Sequence, residues 1–87
     1  GSIELPKSSD ETVKLSGIID WWFWEGDGGC FGTIDVKGKK VELWSNPDRC
    51  EGVDFQEGDK AQLEITYRQE NQYGEPGVAV YTVVNIL

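Results

Sequence analysis

The stretch from residue 17 to residue 34 constrains the fold more than any other part of the chain. It contains three of the four tryptophans: Trp21, Trp22 and Trp24. The isoleucines and rings before the turn are strong β-formers, and Gly26-Asp27-Gly28-Gly29 is the densest turn signal in the chain. We therefore predict a hairpin here. Because neighbouring strand residues point to opposite faces, at least one or two of the consecutive rings are expected at the surface or in a second core.

The rest of the chain reads as short strands separated by glycine turns. We predict five strands, over residues 12–24, 31–36, 41–44, 60–68 and 78–87, and no long helix. Alternation in the third strand places Val41 and Leu43 inward and Trp44 outward beside Glu42. Gly17 indicates a bulge or a close backbone approach. The segment 45–49 is predicted to be a turn or one helical turn capped by Ser45.

The length of 87 residues indicates one domain with a thin core, since a chain of this size buries about 60–65% of its unfolded surface. Gly1-Ser2 is typical of the residues left when a tag is cleaved, and residues 1–11 are predicted to be a flexible lead-in. Residues 12–87 are predicted to form a small all-β, five-stranded antiparallel barrel, because closure removes exposed strand edges.

The net charge limits which ligands are expected, and the cysteines bear on metal binding and disulfide formation. The chain carries 16 acidic and 8 basic residues, a net charge of −8, and no histidine, which is not typical of a generic polyanion binder. Cys30 and Cys50 are too few for a zinc site without histidine, so no metal or cofactor is expected. Two reduced thiols are the favoured interpretation, and a Cys30–Cys50 bridge is the alternative. No apolar run approaches the roughly 18 residues of a membrane span, so we expect a cytoplasmic protein without a membrane partner.

Catalytic chemistry is not expected from this sequence. Without histidine, neither thiol has its usual base. The carboxylate pair Asp48 and Glu51 is of a kind that occurs in any chain this acidic. The glycine run lacks the lysine and the Ser/Thr of a phosphate-binding loop. We expect a non-catalytic binding module.

Several motifs resemble the cold-shock domain family. Residues 17–22 (Gly-Ile-Ile-Asp-Trp-Trp) are similar to the family's opening Gly-x-Val-x-Trp-Phe, and residues 29–34 match part of its Lys-Gly-Phe-Gly-Phe-Ile motif. Residues 41–45 share only the apolar alternation of Val-Phe-Val-His-Phe. Residues 55–59, 63–65 and 74–80 resemble the later family motifs. The resemblance covers about residues 15–87 and implies an OB-fold barrel that binds single-stranded DNA or RNA.

At the positions where the family binds its ligand, this chain matches the family's residues only in part. Trp21 and Phe31 fall on stacking aromatics of the family. Three other stacking positions hold Thr33, Glu42 and Ser45 instead of phenylalanine. Trp44 replaces a histidine, and Asp20 stands where the family often has lysine.

The candidate binding residues are rings for base stacking and lysines for phosphate. The rings are Trp21, Phe31 and Trp44, with Trp24 at the loop, and the only basic cluster is Lys37, Lys39 and Lys40. Trp21 and Phe31 are also compatible with the edge of the core, and the lysines are more commonly ordinary solvated turn residues.

Acidic residues on or near the same face oppose phosphate binding: Asp20, Glu25, Asp27, Asp35 and Glu42. Exposed tryptophans ringed by carboxylates also suit a basic protein partner. A protein-interaction role is therefore the alternative to single-stranded nucleic acid binding.

Overall fold

The strands of the chain close into a barrel. The computed structural model describes residues 3–68 and 80–87. Within these ranges the strands are β1 (Thr12–Trp24), β2 (Cys30–Val36), β3 (Lys39–Ser45), β4 (Lys60–Arg68) and β5 (Val80–Ile86). Their order around the closed barrel is β1-β2-β3-β5-β4. One 3-10 turn, Gly26–Gly28, and one short helix, α1 (Pro47–Cys50), complete the described elements. The predicted small all-β, five-stranded, OB-like barrel is confirmed.

The barrel is mixed, so the prediction of a purely antiparallel barrel is wrong. β3 and β5 run parallel, with Leu43 opposite Tyr81 and Trp44 opposite Thr82. Every other neighbouring pair is antiparallel. The reason is topological. Five is an odd number of strands, and strict alternation of direction cannot close a ring with an odd number of members.

A β-bulge in β1 decides which rings face the core. Ile19 pairs with Ile34, but Trp21 pairs with Thr33, so β1 has one more residue than β2 between these pairs. The extra residue inverts the alternation of the strand. Ile19 is therefore buried in the core, whereas Trp21 points outward and the half-buried Trp22 packs inward.

The core fills the barrel between the strands. Its buried members are Leu15, Ile19, Ile34, Val36, Val41, Leu43, Ala61, Leu63, Ile65 and Val83. The inward orientation predicted for Val41 and Leu43 is confirmed. Trp22 extends the core by packing edge-on against Phe55, with ring centroids 5.1 Å apart. A Cβ on Gly32 would meet the Trp22 ring, so this position requires glycine.

Covalent and capping contacts secure the end of the barrel near α1. Cys30 and Cys50 are joined by a disulfide, with Cα atoms 6.3 Å apart, and both residues are fully buried. The favoured prediction of two reduced thiols is therefore wrong. Asn46, not Ser45, caps α1, because its side chain accepts a hydrogen bond from the Arg49 N–H at 2.9 Å. Ser45 is unsuited to the cap because it is the buried last residue of β3.

The predicted flexible lead-in contacts the barrel. Ile3 and Leu5 of the predicted flexible lead-in pack against the core, and Pro6 is buried. The Thr66 hydroxyl donates to the Glu11 carbonyl at 2.7 Å, where the lead-in meets β1. The predicted polar loop over 69–77, and the first two residues of the predicted last strand, lie outside the described residues.

Candidate ligand-binding face

The outward side of β1, β2 and β3, here called the outer face, carries most of the predicted site residues. Cross-strand register arranges it in rows. The aromatic row is Phe23, Phe31 and Trp44. The middle row is Trp21, Thr33 and Glu42. The ionic row is Asp35 and Lys40, directly opposite each other, together with Asp20.

The rings on β1 are the most accessible part of the outer face. Trp21 is 48% exposed and Phe23 is 54% exposed, while Phe31 is half-buried beside Phe23. Large apolar side chains of this kind are normally withdrawn from water. Three rings on neighbouring positions of two paired strands therefore form an apolar surface, of which the two β1 rings are accessible to a ligand.

Trp44 points outward, as predicted, but it is held from two directions. Its indole N–H donates to the Gly28 carbonyl at 2.9 Å. The Arg68 guanidinium lies over the ring, with its central carbon 4.0 Å from the centroid. The hydrogen bond fixes the orientation of the ring, and Arg68 covers one of its faces by a cation–π contact.

The loop before β2 supplies the carbonyl that Trp44 binds. Gly29 adopts a φ of 87°, and a Cβ at this position would overlap the Ser45 carbonyl oxygen at the end of β3. Only glycine lets the loop pack this closely against β3. That packing places Gly28 next to Trp44.

The middle row provides one ring and one charge. Thr33 lies in an outward register position, between Trp21 and Glu42, yet is only 7% exposed. Its neighbours on the face therefore cover it. Glu42 is exposed and adds a negative charge beside the rings.

The ionic row engages one of the three predicted lysines within the protein. The Lys40 ammonium donates to Asp20 Oδ1 and to Asp35 Oδ2, each at 3.0 Å. These two bonds, the one to Asp20 first, raise the pKa of Lys40 above its ordinary value. The pKa of Asp35 is lowered, chiefly by the bond from Lys40 and then by the Gly38 N–H, which donates to its other oxygen at 2.8 Å.

The other two predicted lysines, Lys37 and Lys39, are exposed at the turn between β2 and β3. Within residues 3–68 and 80–87 neither forms an ion pair. They lie far from the aromatic row, because residues 31 to 36 of β2 extend about 16 Å at roughly 3.3 Å per residue. The structure does not bring the lysines and the aromatic row together.

Trp24 is separated from the other rings. It pairs with Cys30 and belongs by alternation to the side of Trp22, but at the end of the strand it remains 45% exposed. Exposed Glu25 and Asp27 follow it in the loop. The ring-bearing end of the face is therefore bordered by negative charge.

Sequence reasoning missed two residues of the face. Phe23 is the most exposed of its rings, and alternation would have placed it with Trp21 once Trp22 was assigned to the core. Arg68 lies on β4, and the sequence gives no signal for its contact with Trp44, because that contact depends on how the barrel closes.

Other possible sites in the described residues are few. No group of three or more histidine, cysteine or acidic side chains is placed to hold a metal ion there. A groove of about 550 Å³ lies by the β1–β4 pair, lined in part by Ile18, Phe55, Lys60 and Leu87. It includes none of the predicted site residues. No helix in the described ranges is long and apolar enough to cross a membrane.

No protein-family model matches the chain, and no curated protein matches it.

Proposed function

We propose that this chain is a non-catalytic binding module that takes single-stranded nucleic acid on the outer face. One observation carries the proposal: Trp21, Phe23 and Phe31 occupy neighbouring positions of β1 and β2 on the outside of a closed OB-like barrel, with Trp21 and Phe23 exposed and Phe31 half-buried. The motif resemblance to cold-shock domains supports the same face, since Trp21 and Phe31 fall on stacking positions of that family.

Base stacking supplies the binding energy in this proposal. Each base stacked on an aromatic side chain contributes roughly 1–3 kcal/mol, with little dependence on sequence. Trp21, Phe23 and Phe31 offer the stacking surface. Trp44 acts as an anchor, because one face of its ring is covered by Arg68 and its N–H is bound to Gly28. Arg68 brings a positive charge to the rings, where a phosphate next to a stacked base can reach it.

The test is a fluorescence titration with seven-base oligo-dT and oligo-U at low salt. Stacking on Trp21 should quench tryptophan emission in a saturable way, and Phe23→Ala or Phe31→Ala should weaken binding at least about fivefold, because one lost stack costs roughly 1–3 kcal/mol. Leu87→Ala is the matched control, because it removes an exposed apolar side chain outside the face. Absence of quenching up to high micromolar concentration would refute the proposal, since low salt favours phosphate contacts most.

A basic segment of another protein is the second candidate ligand. The specific observation in its favour is the charge around the rings: Lys40 is neutralised by two carboxylates, while Glu25, Asp27 and Glu42 are exposed. Exposed tryptophan surrounded by acid suits a partner with arginine beside an apolar anchor. Titration with a peptide of alternating arginine and leucine tests it. Binding that is lost in Glu25→Gln/Asp27→Asn, together with no oligonucleotide binding, would favour this candidate.

A further inference from the structure

The ionic row places two carboxylates from two different strands on one ammonium. Asp35 faces Lys40 directly across the β2–β3 pair, and Asp20 comes from the bulged part of β1. Asp20 is the residue that β1 has in excess between the Ile19 and Trp21 pairs. Lys40 therefore reaches across β2 to a carboxylate on β1.

Asp35 is fixed in this arrangement by both of its oxygens. One oxygen accepts from Lys40 at 3.0 Å and the other accepts from the Gly38 N–H at 2.8 Å. The side chain is therefore tied to the turn as well as to the lysine. The group as a whole carries two negative charges and one positive charge. A phosphate that approaches Lys40 meets net negative charge.

We propose that Asp20 and Asp35 are specificity-determining residues of the outer face, which withhold Lys40 from phosphate so that the face selects a ligand by its bases and rejects densely charged polyanions. The inference rests on the proposed function, since it concerns the ligand of the same face. Its physical consequence is a weak salt dependence. Each phosphate neutralised on a single strand contributes about 0.7 to the slope of log affinity against log salt, and the engaged lysine contributes none.

The experiment compares the wild type with Asp20→Asn/Asp35→Asn. Asparagine keeps an acceptor for the Gly38 N–H but no longer holds the ammonium by charge. The control is Glu51→Gln/Glu57→Gln, which changes the net charge by the same amount at two exposed positions outside the described ion pairs. Circular dichroism confirms that each variant is folded. The two probes are seven-base oligo-dT and linear polyphosphate, which has phosphates and no bases.

We expect the Asp20/Asp35 variant to bind polyphosphate about fivefold more tightly than the control at low salt, corresponding to one additional charge contact in water. The salt slope for oligo-dT should steepen by about 0.7. Adding Lys40→Gln to the same variant should reverse both effects. If the variant matches the control with both probes, the inference is wrong.

The two proposals can fail separately. A wild type that does not bind oligo-dT, combined with the gain in polyphosphate binding, would retain the role of the carboxylates in withholding Lys40 and reject the nucleic-acid function. Ring-dependent oligo-dT binding with no difference between variant and control would retain the function and reject the role of Asp20 and Asp35.

Discussion

The two ends of the outer face are held in place by different kinds of interaction. At the aromatic end, Trp44 is hydrogen-bonded to Gly28, and the disulfide between Cys30 and Cys50 lies fully buried next to Phe31 in sequence. At the other end, Lys40 is held by two carboxylates, and its side chain is more than half exposed. Covalent bonds and packing fix the first end. Solvent-screened charges organise the second.

This difference has a functional meaning. Exposed ion pairs contribute little to stability and weaken with salt, so the ionic row can change without unfolding the barrel. The aromatic end is less free to change, because Trp44 is hydrogen-bonded to the loop before β2 and the disulfide fixes the start of that strand. A ring that is already in position, as Trp44 is, does not have to be ordered when a ligand binds, which favours affinity. In the proposed function, the aromatic end is the binding surface and the ionic end is a selector whose charges can be changed.

The largest expected effect comes from a matched pair of glycines. Gly29 and Gly38 have nearly the same φ, 87° and 89°, but a Cβ on Gly29 would overlap the Ser45 carbonyl whereas Gly38 faces open space. Gly38→Ala should cost about 1–2 kcal/mol, from its left-handed conformation alone. Gly29→Ala adds the overlap and should cost more than about 3 kcal/mol. Urea unfolding of both variants measures the difference, and equal losses would contradict the comparison.

Removing the disulfide should have the next largest effect. The bond closes a loop of 20 residues in sequence separation, for which chain entropy predicts about 3 kcal/mol. Unfolding with and without a thiol reductant, after partial denaturation to expose the bond, measures it. Cys30→Ala/Cys50→Ala should show the same loss and no response to reductant. If the reductant lowers the stability of that variant too, the effect does not come from this bond.

Trp44→Phe should have a moderate effect. The variant loses the hydrogen bond to Gly28, worth about 1 kcal/mol, while Gly28 is exposed and its carbonyl can bind water instead. The ring remains available to Arg68. Thermal unfolding should show a loss of about 1 kcal/mol, and oligonucleotide affinity should fall less than in Phe31→Ala. A larger loss of affinity in Trp44→Phe would identify Trp44 as a stacking ring instead of an anchor.

Much of the fold could be predicted because it depends on local patterns. Alternation in β3 correctly placed Val41 and Leu43 inside and Trp44 outside. The glycine turns correctly indicated several short strands. The parallel β3–β5 pair was also within reach, because a closed ring of five strands requires one. Predicting the parallel pair requires only that the strand directions be counted around the ring, and no further sequence information.

The site was harder to predict because its details depend on long-range register. The bulge near Asp20 decides that Trp22 faces the core and that Phe23 faces outward, and no residue type there signals its position. The disulfide depends on α1 returning Cys50 to the start of β2. The engagement of Lys40 depends on side chains from two other strands, which the register of the barrel brings near. From the sequence alone, Lys40 cannot be distinguished from Lys37 and Lys39, which have no such partners among the described residues.

The smallest expected effect concerns the ionic row itself. The pKa of Asp35 lies below 3.8, because Lys40 and then the Gly38 N–H favour its ionised form. Its contribution to stability is therefore present above the ordinary carboxyl pKa and is lost as the pH falls through the lowered value. In Lys40→Gln the Asp35 pKa should rise, because the bond that lowers it most is lost while the Gly38 bond remains. Carboxyl NMR titration measures this shift.

Thermal unfolding at neutral pH tests whether the ionic row contributes less to stability than the aromatic end. Lys40→Gln should leave the melting temperature nearly unchanged, because an exposed ion pair contributes little to stability. The same variant should show the shifted Asp35 titration, which proves that the interaction was present in solution. A melting temperature lowered as much as by Gly29→Ala would mean that the ionic row is as structural as the aromatic end. The carboxylates could then not be removed to change selectivity without also disturbing the rings.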